Sequence, residues 1–125
     1  MMGLALWTGK TKRATQSFVN PEDAQRQGVA PATSENKDVE RVQRAHRNDV
    51  ENLLPFLGLG IFYCASRPDP VVALWHFRAF ALGRFIHSIA YLNERGIERA
   101  FGFMLGAVVC VSMAVQNVMY YAVSY

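Results

Sequence analysis

The stretch "ERVQRAHRNDVENLLPFLGLGIFY", Glu40 to Tyr63, starts with three arginines, a histidine and three acids and runs without a break into apolar residues. Residues three, four, seven and eleven positions apart share one face of an α-helix. Counted from Arg44, those positions are Arg47, Asn48, Glu51 and Pro55. The polar groups therefore form a stripe that descends a single helix into its apolar half. An ionisable group at the centre of a membrane span costs about 2.5 to 3.5 kcal/mol on insertion scales, so such groups face a bundle interior and pair or bind something there.

Composition agrees with a helix that leaves water. The chain has 125 residues, a net charge of +3, 51% hydrophobic residues and 18% charged ones, which is charge-poor for a soluble domain. Charge is concentrated between Lys10 and Glu51, and apolar segments dominate from Asn52 onward. Pro68 and Pro70 in "SRPDP" end one helix and start the next. "NERGIER" separates the last two apolar runs, which are long enough to cross a hydrocarbon core of roughly 20 helical residues.

The expected fold class is an all-α integral membrane helical bundle. One membrane domain covers residues 1–125, with helices at 39–66, 71–92 and 97–125 and an exposed cytosolic loop at 10–38 that holds a helical turn at "PEDAQRQ". The apolar "MMGLALW" at 1–9 reads either as an interfacial anchor or as the remnant of a truncated first helix. A soluble helical bundle is the alternative. Against it stand Trp75 and Tyr91 near the two ends of the middle run and Tyr120, Tyr121 and Tyr125 at the end of the last, as interfacial anchors would be. Basic residues cluster before the first full span and at Arg95 and Arg99, with Arg67 alone in "SRPDP", so the first two loops are assigned to the cytosol.

The middle span carries a second stripe, Phe80, Arg84, His87 and Tyr91, and Arg99 sits where the last helix enters from the same side. This topology brings Arg44, Arg47, Glu51, His87, Tyr91 and Arg99 to one membrane depth. Cations outnumber acids there, and an unbalanced positive pocket suits a small polyanion. The structural alternative is a self-satisfied network of Arg44, Arg47 and Glu51, with Arg84 bonding a carbonyl, Asn48 or Glu51. Cys64 and Cys110 read as small buried hydrophobes, His76 as interfacial and His46 as solvated. The sequence has no metal-ligand spacing, phosphate loop or serine-nucleophile pattern, and no exposed basic patch of the kind nucleic-acid binding needs.

"VERVQRAHRNDVENLLPFLGLG", "PDPVVALWHFRAFALGRFIHSIAYL" and "FVNPEDA" resemble the membrane-associated eicosanoid and glutathione metabolism family, in its microsomal glutathione S-transferase and prostaglandin E synthase branch. The resemblance runs from Lys12 to the C-terminus. It implies four-helix subunits in homotrimers in the endoplasmic reticulum membrane, with the mitochondrial outer membrane as a second location, and glutathione as co-substrate. By similarity Arg44 and Arg47 hold its carboxylates, Glu51 its ammonium, and Asn48, His87 and Tyr91 further hydrogen bonds. Lys12 stands where the family usually has an arginine. Arg99 matches the arginine that stabilises the thiolate, since a nearby cation lowers a thiol pKa from about 8.5. Asp23 keeps the acidic position near the thiol site. The implied reaction joins glutathione to a hydrophobic electrophile arriving from membrane lipid, and the same thiolate reduces lipid hydroperoxides.

Ala100 and Phe103 replace a serine and a tyrosine of the synthase branch, which favours the transferase over a prostaglandin E synthase-like isomerase. Ala24 lies where the mammalian transferase has its stress-sensing cysteine. The short first helix adds a third expectation, an inactive truncated subunit of the trimer.

Overall fold

Proline, asparagine and positive-φ residues set the boundaries of five helices in the computed structural model, which describes residues 2–123. The helices are α1 Met2–Thr15, α2 Pro21–Gln27, α3 Lys37–Ala65, α4 Pro70–Leu92 and α5 Gly96–Val123. The fold is all-helical, as expected. Tyr125, one of the expected anchors, lies outside the described residues.

Two of the starts show their cause directly. Asp69 caps α4 by accepting from the amides of Val71 and Val72 at 2.9 and 3.0 Å, with Pro70 in the first position, where a missing N–H costs nothing. Asn36 accepts from the Asp38 amide at 2.8 Å at the start of α3. Three of the stops share one geometry. Ser17, Val29 and Arg95 each donate their amide five residues back, to Lys12, Ala24 and Ala90, while the residue before each donates three back. This is the Schellman ending, which puts its hinge residue in the left-handed region. Gly28 occupies that hinge at φ 68°, but Gln16 and Glu94 occupy the other two at φ 51° and 61°.

The chain folds as two units, Met1–Asn48 and Asp49–Tyr125. In the first, Phe18, Ala24, Val39, Val42 and Ala45 are buried. Lys12 and Gln43 both reach Glu35 Oε1, at 2.8 and 3.0 Å, and the Asn36 amide donates to the buried Ser17 hydroxyl at 2.9 Å. Helix α1 continues to Thr15, past the expected start of the loop at residue 10, and α2 gives the "PEDAQRQ" turn its full seven residues. Threonines at 8, 11 and 15 bond the carbonyls one turn back, so their hydroxyls are satisfied within α1.

In the second unit the C-terminal part of α3, α4 and α5 share a core of Phe56, Tyr63, Phe80, Val109 and Met113. The Phe56 and Phe80 rings stack at 3.6 Å, and Phe77 meets Phe56 edge-on at 5.6 Å. Buried residues on α4 are Phe80, Gly83, His87 and Ala90, and on α5 Gly102, Gly106, Val109, Met113 and Asn117. These intervals of three and four are the packing seam of paired helices.

Glycine lets the seam close at one level. A Cβ added to Gly83 would lie 2.9 Å from the Gly102 carbonyl oxygen, and one added to Gly102 would lie 2.6 Å from the His87 nitrogen. Farther along, Tyr63 donates to Gln116 Oε1 at 3.1 Å, and His76, expected as an interfacial residue, bonds Ser112 Oγ at 2.9 Å. Cys64 is exposed, not buried as expected, because its position on α3 faces away from the core. By length and composition α5 is apolar enough to cross a membrane. The charged residues carried by α3 and α4 lower their hydropathy.

Candidate functional site

Each unit holds part of the residue set expected from sequence. In the first unit, Lys12 and Asp23 line one cleft of about 350 Å³ together with Gly9, Arg13, Phe18, Arg26 and Gln27. Three cations and one carboxylate give it a positive field. Asp23 accepts from Asn20 Nδ2 at 3.3 Å, one turn of chain away, and Lys12 is drawn to Glu35. Arg47 lines a second cleft of about 380 Å³ with Ala5, Thr8, Gln43 and His46, so His46 is a cleft residue rather than a freely solvated one. Arg44 is exposed and pairs with Glu40 at 3.1 Å, one turn back on α3. Glu40 therefore takes the place that a network with Glu51 would have given to that acid. Asn48 is half-buried at the end of this unit.

In the second unit, Glu51 is exposed on α3, and Pro55 leaves its carbonyl without the usual helical donor. His87, Tyr91 and Arg99 come together. The His87 ring lies 5.8 Å from that of Tyr91, and the Arg99 guanidinium sits over the Tyr91 ring at 4.9 Å, within the range of a cation–π contact. Nδ1 of His87 is 2.9 Å from the Arg99 carbonyl oxygen. A carbonyl only accepts, so Nδ1 carries the proton. The other ring nitrogen, Nε2, is buried and has no hydrogen-bond partner among the described residues. Among those residues the Arg99 guanidinium has no carboxylate partner either. Phe103 places a ring without a hydroxyl 6.3 Å from His87.

Arg84 takes a partner that the helical stripe did not suggest. Its Nε donates to Asp49 Oδ1 at 3.0 Å, a second guanidinium nitrogen reaches the same oxygen, and the Ser88 hydroxyl donates to Asp49 Oδ2 at 2.8 Å. A backbone carbonyl, Asn48 or Glu51 was the expectation for Arg84, and Asp49 joins that set as a partner the spacing did not name. Asp49 lies next to Asn48 in sequence but about 100° around the helix, on the side of α3 that faces α4. The signal was present, since Asp49 enters an apolar helix whose neighbour offers a single deep arginine. Gly83 and Gly102 were also missed as site-forming residues. The Gly102 to Gly106 spacing, "GFMLG", is the sequence signature of close helix approach.

The MAPEG family pattern matches residues 1–119. The chain belongs to the MAPEG family. It is 44% identical over 119 residues to prostaglandin E synthase of Equus caballus, covering 94% of this chain and 78% of that protein. To the Homo sapiens prostaglandin E synthase it is 43% identical over 117 residues, covering 93% and 77%. To microsomal glutathione S-transferase 1 of Homo sapiens it is 42% identical over 123 residues, covering 91% and 77%. These relatives carry enzyme names of two kinds, and both kinds are similar along most of this chain.

Proposed function

We propose that this MAPEG member is a membrane-embedded glutathione transferase that conjugates glutathione to hydrophobic electrophiles and reduces lipid hydroperoxides with the same thiolate. The observation that carries the reading is Arg99, a cation packed on the Tyr91 ring with no carboxylate partner among the described residues. Such a guanidinium is available to a developing sulfur anion. It lowers the thiol pKa and raises the nucleophilic fraction at neutral pH.

The remaining roles are assigned residue by residue. Arg44 and Arg47 take the glutathione carboxylates. Arg44 exchanges Glu40 for one of them, which costs little because an exposed ion pair one turn apart contributes only about 0.3 to 0.5 kcal/mol. Glu51 takes the ammonium, and Asn48, Tyr91 and the buried Nε2 of His87 take hydrogen bonds. Lys12 adds a further cation, and Asp23 an acid near the thiol. In conjugation the sulfur displaces a leaving group from the electrophile, and the thiol proton goes to water. In peroxide reduction the sulfur takes the terminal oxygen, leaving the alcohol, and a second glutathione converts the sulfenic product to the disulfide and water. The reading includes three spanning helices, a homotrimer and an endoplasmic reticulum or mitochondrial outer membrane.

The 44% identity to prostaglandin E synthase supports a second reading, a glutathione-dependent isomerase. The two separate in one assay series on the detergent-purified chain. A transferase conjugates a chlorinated nitrobenzene and reduces a fatty-acid hydroperoxide, and Arg99→Ala lowers both by about 100-fold, the loss typical of removing a charge-stabilising donor. Turnover of a prostaglandin endoperoxide with no conjugation would select the isomerase, and unchanged turnover in Arg99→Ala would sink the role of that arginine.

A further inference from the structure

We infer that Arg99 is aimed by a clasp between α4 and α5, formed by the protonated Nδ1 of His87 on the Arg99 carbonyl and by the bare backbone of Gly102 one turn later. His87 and Gly102 are then positioning residues, and the inference rests on the thiolate role of Arg99 proposed above. Its first support is the hydrogen bond of 2.9 Å from His87, a residue only 4% exposed. That bond fixes the opening turn of α5, from which the Arg99 side chain departs toward Tyr91.

The second support is steric. A methyl group on Gly102 would stand 2.6 Å from the His87 nitrogen, 2.7 Å from the Gly83 carbonyl oxygen and 3.0 Å from the His87 Cα. All three are backbone atoms, so no rotamer change relieves the clash, and the helices must part or slide. Gly106, four residues on, differs, because a methyl there would meet the Phe80 ring at an ordinary 3.6 Å. On α5, then, it is Gly102, one turn from Arg99, where an added methyl has no room, although the Gly83 position also lies close to the Gly106 nitrogen, at 3.1 Å from an added Cβ. A displacement of about 1 Å at a reacting group can cost 100-fold in rate, so a clasp at this level governs thiolate formation more than overall packing.

The test uses the full chain in detergent, with glutathione affinity measured by calorimetry and thiolate by its ultraviolet absorbance. The variants are Gly102→Ala, Gly106→Ala, His87→Asn and His87→Gln. Asparagine places an N–H where Nδ1 stands, whereas glutamine places its amide where Nε2 stands. Gly102→Ala is expected to bind glutathione but to hold less thiolate at neutral pH, by up to about tenfold, the limit for a one-unit rise in thiol pKa. Gly106→Ala is expected to match the parent. At saturating glutathione, His87→Asn is expected to exceed His87→Gln in thiolate per bound ligand.

A folded Gly102→Ala with the parent's thiolate signal would overturn the clasp. So would a His87→Gln that exceeds His87→Asn, since Nε2 would then be the operative atom. Should Gly102→Ala fail to fold, the histidine pair decides. A parent chain that binds glutathione without forming thiolate would instead overturn the transferase reading, and the function of the clasp with it.

Discussion

Arg84 and Arg99 show how one residue type takes two roles at different degrees of enclosure. The Arg84 and Asp49 side chains are 11% and 9% exposed, and Ser88 fills a further acceptor position on the carboxylate. Removing one member of a buried pair leaves an uncompensated charge, at a cost of about 3 to 5 kcal/mol. Asp49→Asn is therefore expected to lower the melting temperature in detergent steeply, while the double change Asp49→Leu with Arg84→Met recovers most of the loss. Equal damage from the single and double variants would contradict this account. Arg99 lies instead at an exposed helix start, with its guanidinium packed on the Tyr91 ring and its backbone carbonyl bonded by His87, neither of which neutralises the charge. The sequence disclosed these residue types but not their partners. Helical spacing places Arg84 on the stripe with His87, yet the buried seam runs through Gly83 and His87, so Arg84 turns toward Asp49 on α3.

At the scale of elements, starts were more legible than stops. Asp69 with Pro70 marks the start of α4 unambiguously, and the paired prolines of "SRPDP" mark the end of α3. The end of α1 was not legible, because its Schellman hinge carries Gln16 rather than glycine, and composition alone opens a loop at residue 10. An L-residue in the left-handed region pays about 1 to 2 kcal/mol in sterics. Gln16→Gly is expected to raise stability by about 1 kcal/mol, less the backbone entropy that glycine adds to the unfolded chain. A thermal melt checks this, and a lower midpoint would show that the Gln16 side chain stabilises the turn. The close approach of α4 and α5 was likewise missed. Glycine in an apolar segment signals only that a membrane helix tolerates it, whereas the backbone distances at Gly83 and Gly102 make it necessary there.

For the whole molecule, family membership follows from a match across residues 1–119, and the charge pattern gives the topology a testable form. If α4 spans the bilayer, the loops at its two ends open on opposite sides. Single cysteines at Arg67 and Arg95, in a chain whose Cys64 and Cys110 are changed to alanine, are expected to react with an impermeant maleimide from opposite faces of sealed vesicles. Labelling of both from one side would exclude a spanning α4. The central claim, that this chain holds glutathione as a thiolate against Arg99, is tested most directly by titrating glutathione into the purified parent and Arg99→Ala proteins and recording the ultraviolet difference spectrum at neutral pH. A saturable thiolate band in the parent, absent from an Arg99→Ala protein that still binds glutathione, is the predicted result. A band of equal size in both, or in neither, would contradict the account.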